Sequence, residues 1–184
     1  MKVRAKPKYG TLRRRSTDCR SMAIVVSMML GCGAGFSLTD VEKLARVEEM
    51  VSALEKRFPD VETITVDEVG RLLEKDSVVL VDVRAVEERK VSMIPGAISA
   101  QEFEADEDRY AEITVVAYCT IGHRSSEYAR QLTQRGQRVL NLSGSILAWA
   151  HAGGPLVLNS EATRILHVYG SNWDLAPNRF ETIW

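Results

Sequence analysis

Three short runs of branched and apolar residues, at 78–83, 113–118 and 138–142, most constrain what this chain can fold into. Each is too short for a typical helix, and the first is apolar on both faces, as in a buried parallel strand. Between them lie stretches of helical period. Thr65-Val66-Asp67-Glu68 is a capping-box pattern and predicts a helix over about 66–75. A short helical stretch is expected over 85–91. Pro95-Gly96 marks a turn, with a brief strand near 97–99. Residues 101–112 are acidic and read as loop or weak helix. A helix is expected from Ser125 to about Arg135 with Gly136 as its C-cap, and another over 146–152, stopped by Gly153-Gly154-Pro155. Strands alternating with helices predict an α/β fold, a mostly parallel central sheet flanked by helices on both faces.

Upstream, Val41, Leu44, Val47, Val51, Leu54 and Phe58 recur at helical steps, so residues 38–58 read as an amphipathic helix. Ser37 or Thr39 is positioned to cap it, and Pro59 ends it. Four segments result. Residues 1–36 form a basic and apolar targeting segment. Residues 37–61 hold the amphipathic helix and a linker, and 62–157 the α/β domain. Residues 158–184 form an extension carrying Ile165, Leu166, Val168, Tyr169, Trp173, Leu175, Phe180, Ile183 and Trp184. So apolar a tail is expected to pack back onto the domain.

Charge is unevenly placed. The net formal charge is −1, but residues 1–36 carry eight Lys/Arg against one Asp. The remainder is acidic, which argues against nucleic acid as a partner. The basic stretch precedes an apolar run, Met22 to Leu30, and then small residues around Gly31-Cys32-Gly33. That layout suits a secretory signal, and Met29-Leu30-Gly31-Cys32 also suits a lipoprotein signal with Cys32 lipidated. The run is too short for a membrane span, which needs roughly 20 apolar residues. The expected location is therefore exported or membrane-associated, periplasmic or lipid-anchored. An organellar presequence or a cytoplasmic tail is the alternative. The three cysteines, Cys19, Cys32 and Cys119, form no disulfide framework and no zinc motif.

Cys119 lies between the run 113–118 and the helix expected from Ser125. Its loop is Cys119-Thr120-Ile121-Gly122-His123-Arg124. A cysteine between a strand and a helix N-terminus sits where the helix dipole and free backbone N–H groups stabilise a thiolate. Gly122 permits a backbone conformation that a side chain disfavours. Cys119 is the candidate nucleophile. Thr120, Ile121, Gly122, His123 and Arg124 are the candidate binding residues, with Arg124 a fixed positive charge for an anion.

The region 62–157 resembles the rhodanese-like sulfurtransferase family, in its single-domain form. Asp82-Val83-Arg84 with Glu87-Glu88 and Ile94-Pro95-Gly96-Ala97 is similar to that family's first signature. Cys119-x-x-Gly122-x-Arg124-Ser125 is similar to its active-site loop. Leu142-x-Gly144 with Ala148-Trp149 and Gly153-Gly154-Pro155 is similar to its C-terminal signature. Ser92-Met93, Ser145, Thr120 and Ile121 depart from the family pattern. The Thr120 change removes a positive charge beside the cysteine, which leaves thiosulfate less favoured as the donor.

The resemblance implies sulfur transfer through a Cys119 persulfide, from a small sulfur donor such as thiosulfate to a thiol, cyanide or protein acceptor. That chemistry requires no metal and no organic cofactor. Two other readings stand beside it. One is a non-catalytic module of the same fold that binds persulfide, senses redox state or docks a partner. The other is a cysteine phosphatase, which uses a Cys-x5-Arg loop; here four residues separate Cys119 from Arg124. Oligomeric state is left open. Asp82 and Arg84 read as a salt-bridged pair holding a strand end, with a pocket-mouth role for Arg84 as the alternative. Trp149 reads as core, His123 as an exposed loop residue, His151 and His167 as surface or edge residues, and Glu102 and Glu104 as a solvated face.

Overall fold

A computed structural model describes residues 37–184. The expectations on the basic segment and Cys32 lie outside the described residues. Helix α1 (Asp40–Arg57) starts at a capping box, in which the Thr39 hydroxyl accepts from the Glu42 amide and the Glu42 carboxylate accepts from the Thr39 amide. Strand β1 (Thr63–Ile64) leads through a second capping box, Thr65 with Glu68, into α2 (Val66–Leu73). The chain continues through β2 (Val78–Asp82), α3 (Val86–Arg89), β3 (Ile98–Ser99) and α4 (Ala100–Glu104). A single 3-10 turn over Glu107–Tyr110 precedes β4 (Thr114–Tyr118), α5 (His123–Gln134), β5 (Val139–Leu142) and α6 (Ser145–His151).

The five strands form one wholly parallel sheet in the order β1-β5-β4-β2-β3. Alternation along the strands splits their side chains between two cores. Leu80, Val116, Leu140 and Leu142 pack with Val47 of α1, Val69 of α2 and Ile146, Leu147 and Trp149 of α6. Val79, Val81, Val115, Ala117 and Val139 face the other way, against Phe103 of α4 and Ala129 and Leu132 of α5. Helices therefore cover both faces, and β4 is the middle strand.

One difference from the sequence reading bears on the site. Helix α5 begins at His123, two residues early, because Gly122 at φ +124° turns the chain directly into the helix. His123 and Arg124 are thus first-turn helical residues. His151 and His167, expected at the surface or an edge, are half-buried. His151 Nε2 lies 2.8 Å from the Leu175 carbonyl oxygen. Residues 101–112, expected as loop or weak helix, hold most of the short α4 and the 3-10 turn, and Ser99 and Glu102 make a third capping box at the start of α4.

Beyond α6, β6 (Leu156–Leu158) and β7 (Glu161–Thr163) form an antiparallel hairpin. Its turn residues, Asn159 and Ser160, both have positive φ, as a two-residue hairpin requires. Strands β8 (Ile165–His167) and β9 (Glu181–Ile183) pair in parallel. Leu166, Val168, Leu175 and Ala176 are buried in the same core as α1 and α6. The Arg179 guanidinium donates to the Ala150 carbonyl at 2.6 Å, and Lys43 Nζ to the Ala176 carbonyl at 2.9 Å. No helix among the described residues is long and apolar enough to cross a membrane.

Candidate active site

Cys119 follows the last residue of β4, at the carboxyl end of the central strand of a parallel sheet, where such folds build their sites. The loop it opens is held from below. The Cys119 amide donates to Ser145 Oγ at 3.1 Å, and the amides of Ile146 and Leu147 donate to the carbonyls of Cys119 and Thr120 at 3.2 and 3.3 Å. Ser145 reaches this position through a left-handed turn, with φ +68° at Gly144 and +49° at Ser145. A Cβ on Gly144 would lie 2.6 Å from the Ala148 Cβ, so only glycine fits. Ser125 and Asn141 complete a buried polar floor, with the Ser125 hydroxyl donating to Asn141 Oδ1 at 2.6 Å.

The Cys119 thiol is almost fully buried and accepts a hydrogen bond from the Gly122 amide at 3.2 Å. Burial opposes its ionisation. The Ser125 hydroxyl and amide, the Gly122 amide and the Arg124 charge outweigh that penalty, and the pKa lies below the ordinary thiol value. The single Ser125 hydroxyl proton serves either Asn141 or the thiolate, so its rotation couples floor and nucleophile. A checkable pH dependence follows. Alkylation of Cys119 by iodoacetamide needs the thiolate, so its rate should rise with pH and level off at a midpoint below that of a free thiol measured alongside. Ser125→Ala removes one stabiliser of the charged form and should move that midpoint up; an unmoved midpoint would count against the role given to Ser125.

Arg124 is not a free cation. Its guanidinium grips the Glu88 carboxylate with two hydrogen bonds, Nη1 to Oε2 at 2.6 Å and Nη2 to Oε1 at 2.9 Å, and donates to Thr120 Oγ1 at 3.1 Å. Glu88, on α3, is 4% exposed and also accepts from the Ala85 amide. Burial raises its pKa, but the Arg124 and Ala85 bonds and the nearby arginine charges win, so it is held below the usual carboxylate range. The expected positive charge beside Cys119 is therefore matched by a buried negative one. Glu88 belongs to the first signature, but it lies 36 residues from Arg124 and nothing in the sequence places it at the site.

Cys119, Thr120, Ile121, His123 and Arg124 line one cavity of about 280 Å³; Gly122 contributes its amide to the thiol instead. Tyr169 and Trp173, from the extension, also line the cavity. The Arg124 guanidinium sits 5.0 Å from the Tyr169 ring centroid, and Tyr169 meets Trp173 edge-on at 5.2 Å. The His123 ring packs edge-on against Phe58 at 5.4 Å, with Nδ1 3.6 Å from a Glu127 oxygen. Arg84 does not line the cavity. It is buried against Asp82, Nη2 to Oδ2 at 2.7 Å, and Asp82 also accepts from the Tyr118 hydroxyl at 2.7 Å.

Residues 65–152 match the rhodanese-like domain family. A sulfurtransferase of Allochromatium vinosum is 40% identical over 97 residues, a stretch covering 47% of this chain and 85% of that protein. The chain belongs to the rhodanese-like family. A stretch of 101 residues, 52% of this chain, is 37% identical to 44% of an HTH-type transcriptional regulator of Mycobacterium tuberculosis. The crystal structure of a thiosulfate sulfurtransferase from Pseudomonas aeruginosa aligns with a TM-score of 0.49 at 25% identity, over 65% of this chain and 23% of that one. Tyr169 and Trp173 lie outside the segment matched as rhodanese-like.

Proposed function

We propose that this protein is a sulfurtransferase that carries sulfane sulfur as a persulfide on Cys119. The observation that carries the reading is the thiol itself, buried at the end of β4, with its pKa lowered by an amide, a serine and an arginine, and facing a cavity. Two displacement steps follow. The Cys119 thiolate attacks the outer sulfur of a donor; the new S–S bond forms on Cys119 while the donor's own bond to that sulfur breaks. The electron pair leaves with the rest of the donor, as sulfite when the donor is thiosulfate. An acceptor then attacks the terminal sulfur and Cys119 departs as thiolate. A thiol acceptor becomes a persulfide, and cyanide becomes thiocyanate. The Gly122 amide and Ser125 stabilise the charge that returns to Cys119 in the second step.

The reading is tested by supplying thiosulfate or an organic thiosulfonate with cyanide or a thiol acceptor. Product thiocyanate or persulfide, with release of sulfite or sulfinate, is expected. Absence of turnover with every donor and acceptor would overturn it. The transcriptional-regulator relative favours a second reading, a persulfide-sensing or docking module. That reading predicts single loading of Cys119 without multiple turnover. The basic segment and the run ending at Cys32 support export or lipid anchoring; the mass of the natively expressed N-terminus tests it, and an intact Met1 would contradict it.

A further inference from the structure

The cavity over Cys119 has two halves of different chemistry. Its floor is the loop, polar at Thr120 and apolar at Ile121. Its outer wall is aromatic, Tyr169 and Trp173, supplied by the extension and not by the rhodanese-like segment. Tyr169 is 60% exposed although Val168, beside it, is fully buried. Its ring contacts the Arg124 guanidinium and the edge-on Trp173 ring.

Charge in the cavity points the same way as shape. The cation beside Cys119 is bound to the Glu88 carboxylate by two hydrogen bonds, so the pair has no net charge. With Cys119 ionised, Glu88, Arg124 and Cys119 together carry one net negative charge, which the loop amides, the Ser125 hydroxyl and the start of α5 stabilise. A small inorganic dianion would meet that negative charge and leave the aromatic wall untouched. A cavity of about 280 Å³ approaches the range that holds organic ligands, roughly 300 Å³ and above.

The geometry points to an organic sulfane-sulfur donor, an aryl or alkyl thiosulfonate or persulfide, whose apolar group lies against Tyr169 and Trp173 while its outer sulfur meets Cys119. This assignment rests on the sulfurtransferase reading and names its substrate class. For a thiosulfonate the balance is simple. Cys119 thiolate takes the terminal sulfur, the donor's S–S bond breaks, and its electron pair leaves as the sulfinate. Tyr169 and Trp173 touch no reacting atom; they are specificity determinants.

The test compares methanethiosulfonate with benzenethiosulfonate, two monoanions with the same reacting S–S bond. The readout is kcat/KM for sulfinate release by the full chain and by Tyr169→Ala and Tyr169→Phe. The ratio between parent and variant cancels the donors' intrinsic reactivities. The benzene-to-methane preference should fall about fivefold in Tyr169→Ala, in line with the worth of an aromatic contact, and persist in Tyr169→Phe. Trp173→Leu should lower the same ratio. If Tyr169 merely props Arg124, both donors lose alike and the ratio stays within about twofold, which overturns the assignment. Turnover with no donor at all would instead bring down the sulfurtransferase reading, and this assignment with it.

Discussion

Cys119→Ser is expected to lose sulfur transfer down to background, a drop on the order of 10⁴ or more. A serine hydroxyl stays protonated at neutral pH and forms no persulfide, so both displacement steps vanish. The substitution exchanges one small buried acceptor for another. The Gly122 amide keeps a partner, and the loop stays anchored by Ser145 to the Cys119 backbone amide, which is unchanged. Thermal unfolding should therefore move little while thiocyanate or persulfide formation disappears. Substantial turnover by the serine variant would place the sulfur carrier elsewhere.

Asp82→Ala should be the most damaging change outside the loop, at about 3–5 kcal/mol of stability. Asp82 and Arg84 have no exposed side-chain surface. The carboxylate accepts from Arg84 Nε at 3.0 Å, from Nη2 at 2.7 Å and from the Tyr118 hydroxyl at 2.7 Å. Removing it strands a guanidinium in the core, where Nη1 already has no partner. Burial, the largest cause of the raised Tyr118 phenol pKa, remains in the variant, so the hydroxyl stays a donor and loses the carboxylate that received it. A fall in Tm on the order of 10 °C is expected. The double variant Asp82→Ala with Arg84→Met should recover part of the loss, since no uncompensated charge remains. A Tm within a degree or two of the parent for Asp82→Ala would contradict the account of this cluster.

The central sheet was legible because its signals are local. The runs that became β2, β4 and β5 announce buried parallel strands, and Thr65 with Glu68 announces a helix start within four residues. The start of α5 was misplaced by two residues, since nothing local says that Gly122 turns straight into the helix. The strands of the extension were not legible: β7, β8 and β9 have three residues each, and three residues carry no period. The site divides in the same way. Cys119 and its loop are contiguous and could be read together. Glu88 lies 36 residues before Arg124, and Ser145 lies 26 after Cys119. Their roles come from the folding of distant segments. Ser145 stood out only as a departure from the family pattern, yet its hydroxyl receives the Cys119 amide. Tyr169 and Trp173 carried one signal, the apolar character of the tail, which points to packing and says nothing about a pocket.

The central claim is that Cys119 is the atom that carries sulfur. It is tested most directly by incubating the purified protein with a sulfane-sulfur donor, removing the excess, and measuring the mass of the peptide that contains Cys119. That peptide should gain the mass of one sulfur atom and lose it again when a thiol or cyanide is added. Consumption of donor with no gain on that peptide, and a Cys119 thiol still open to alkylation, would contradict the claim.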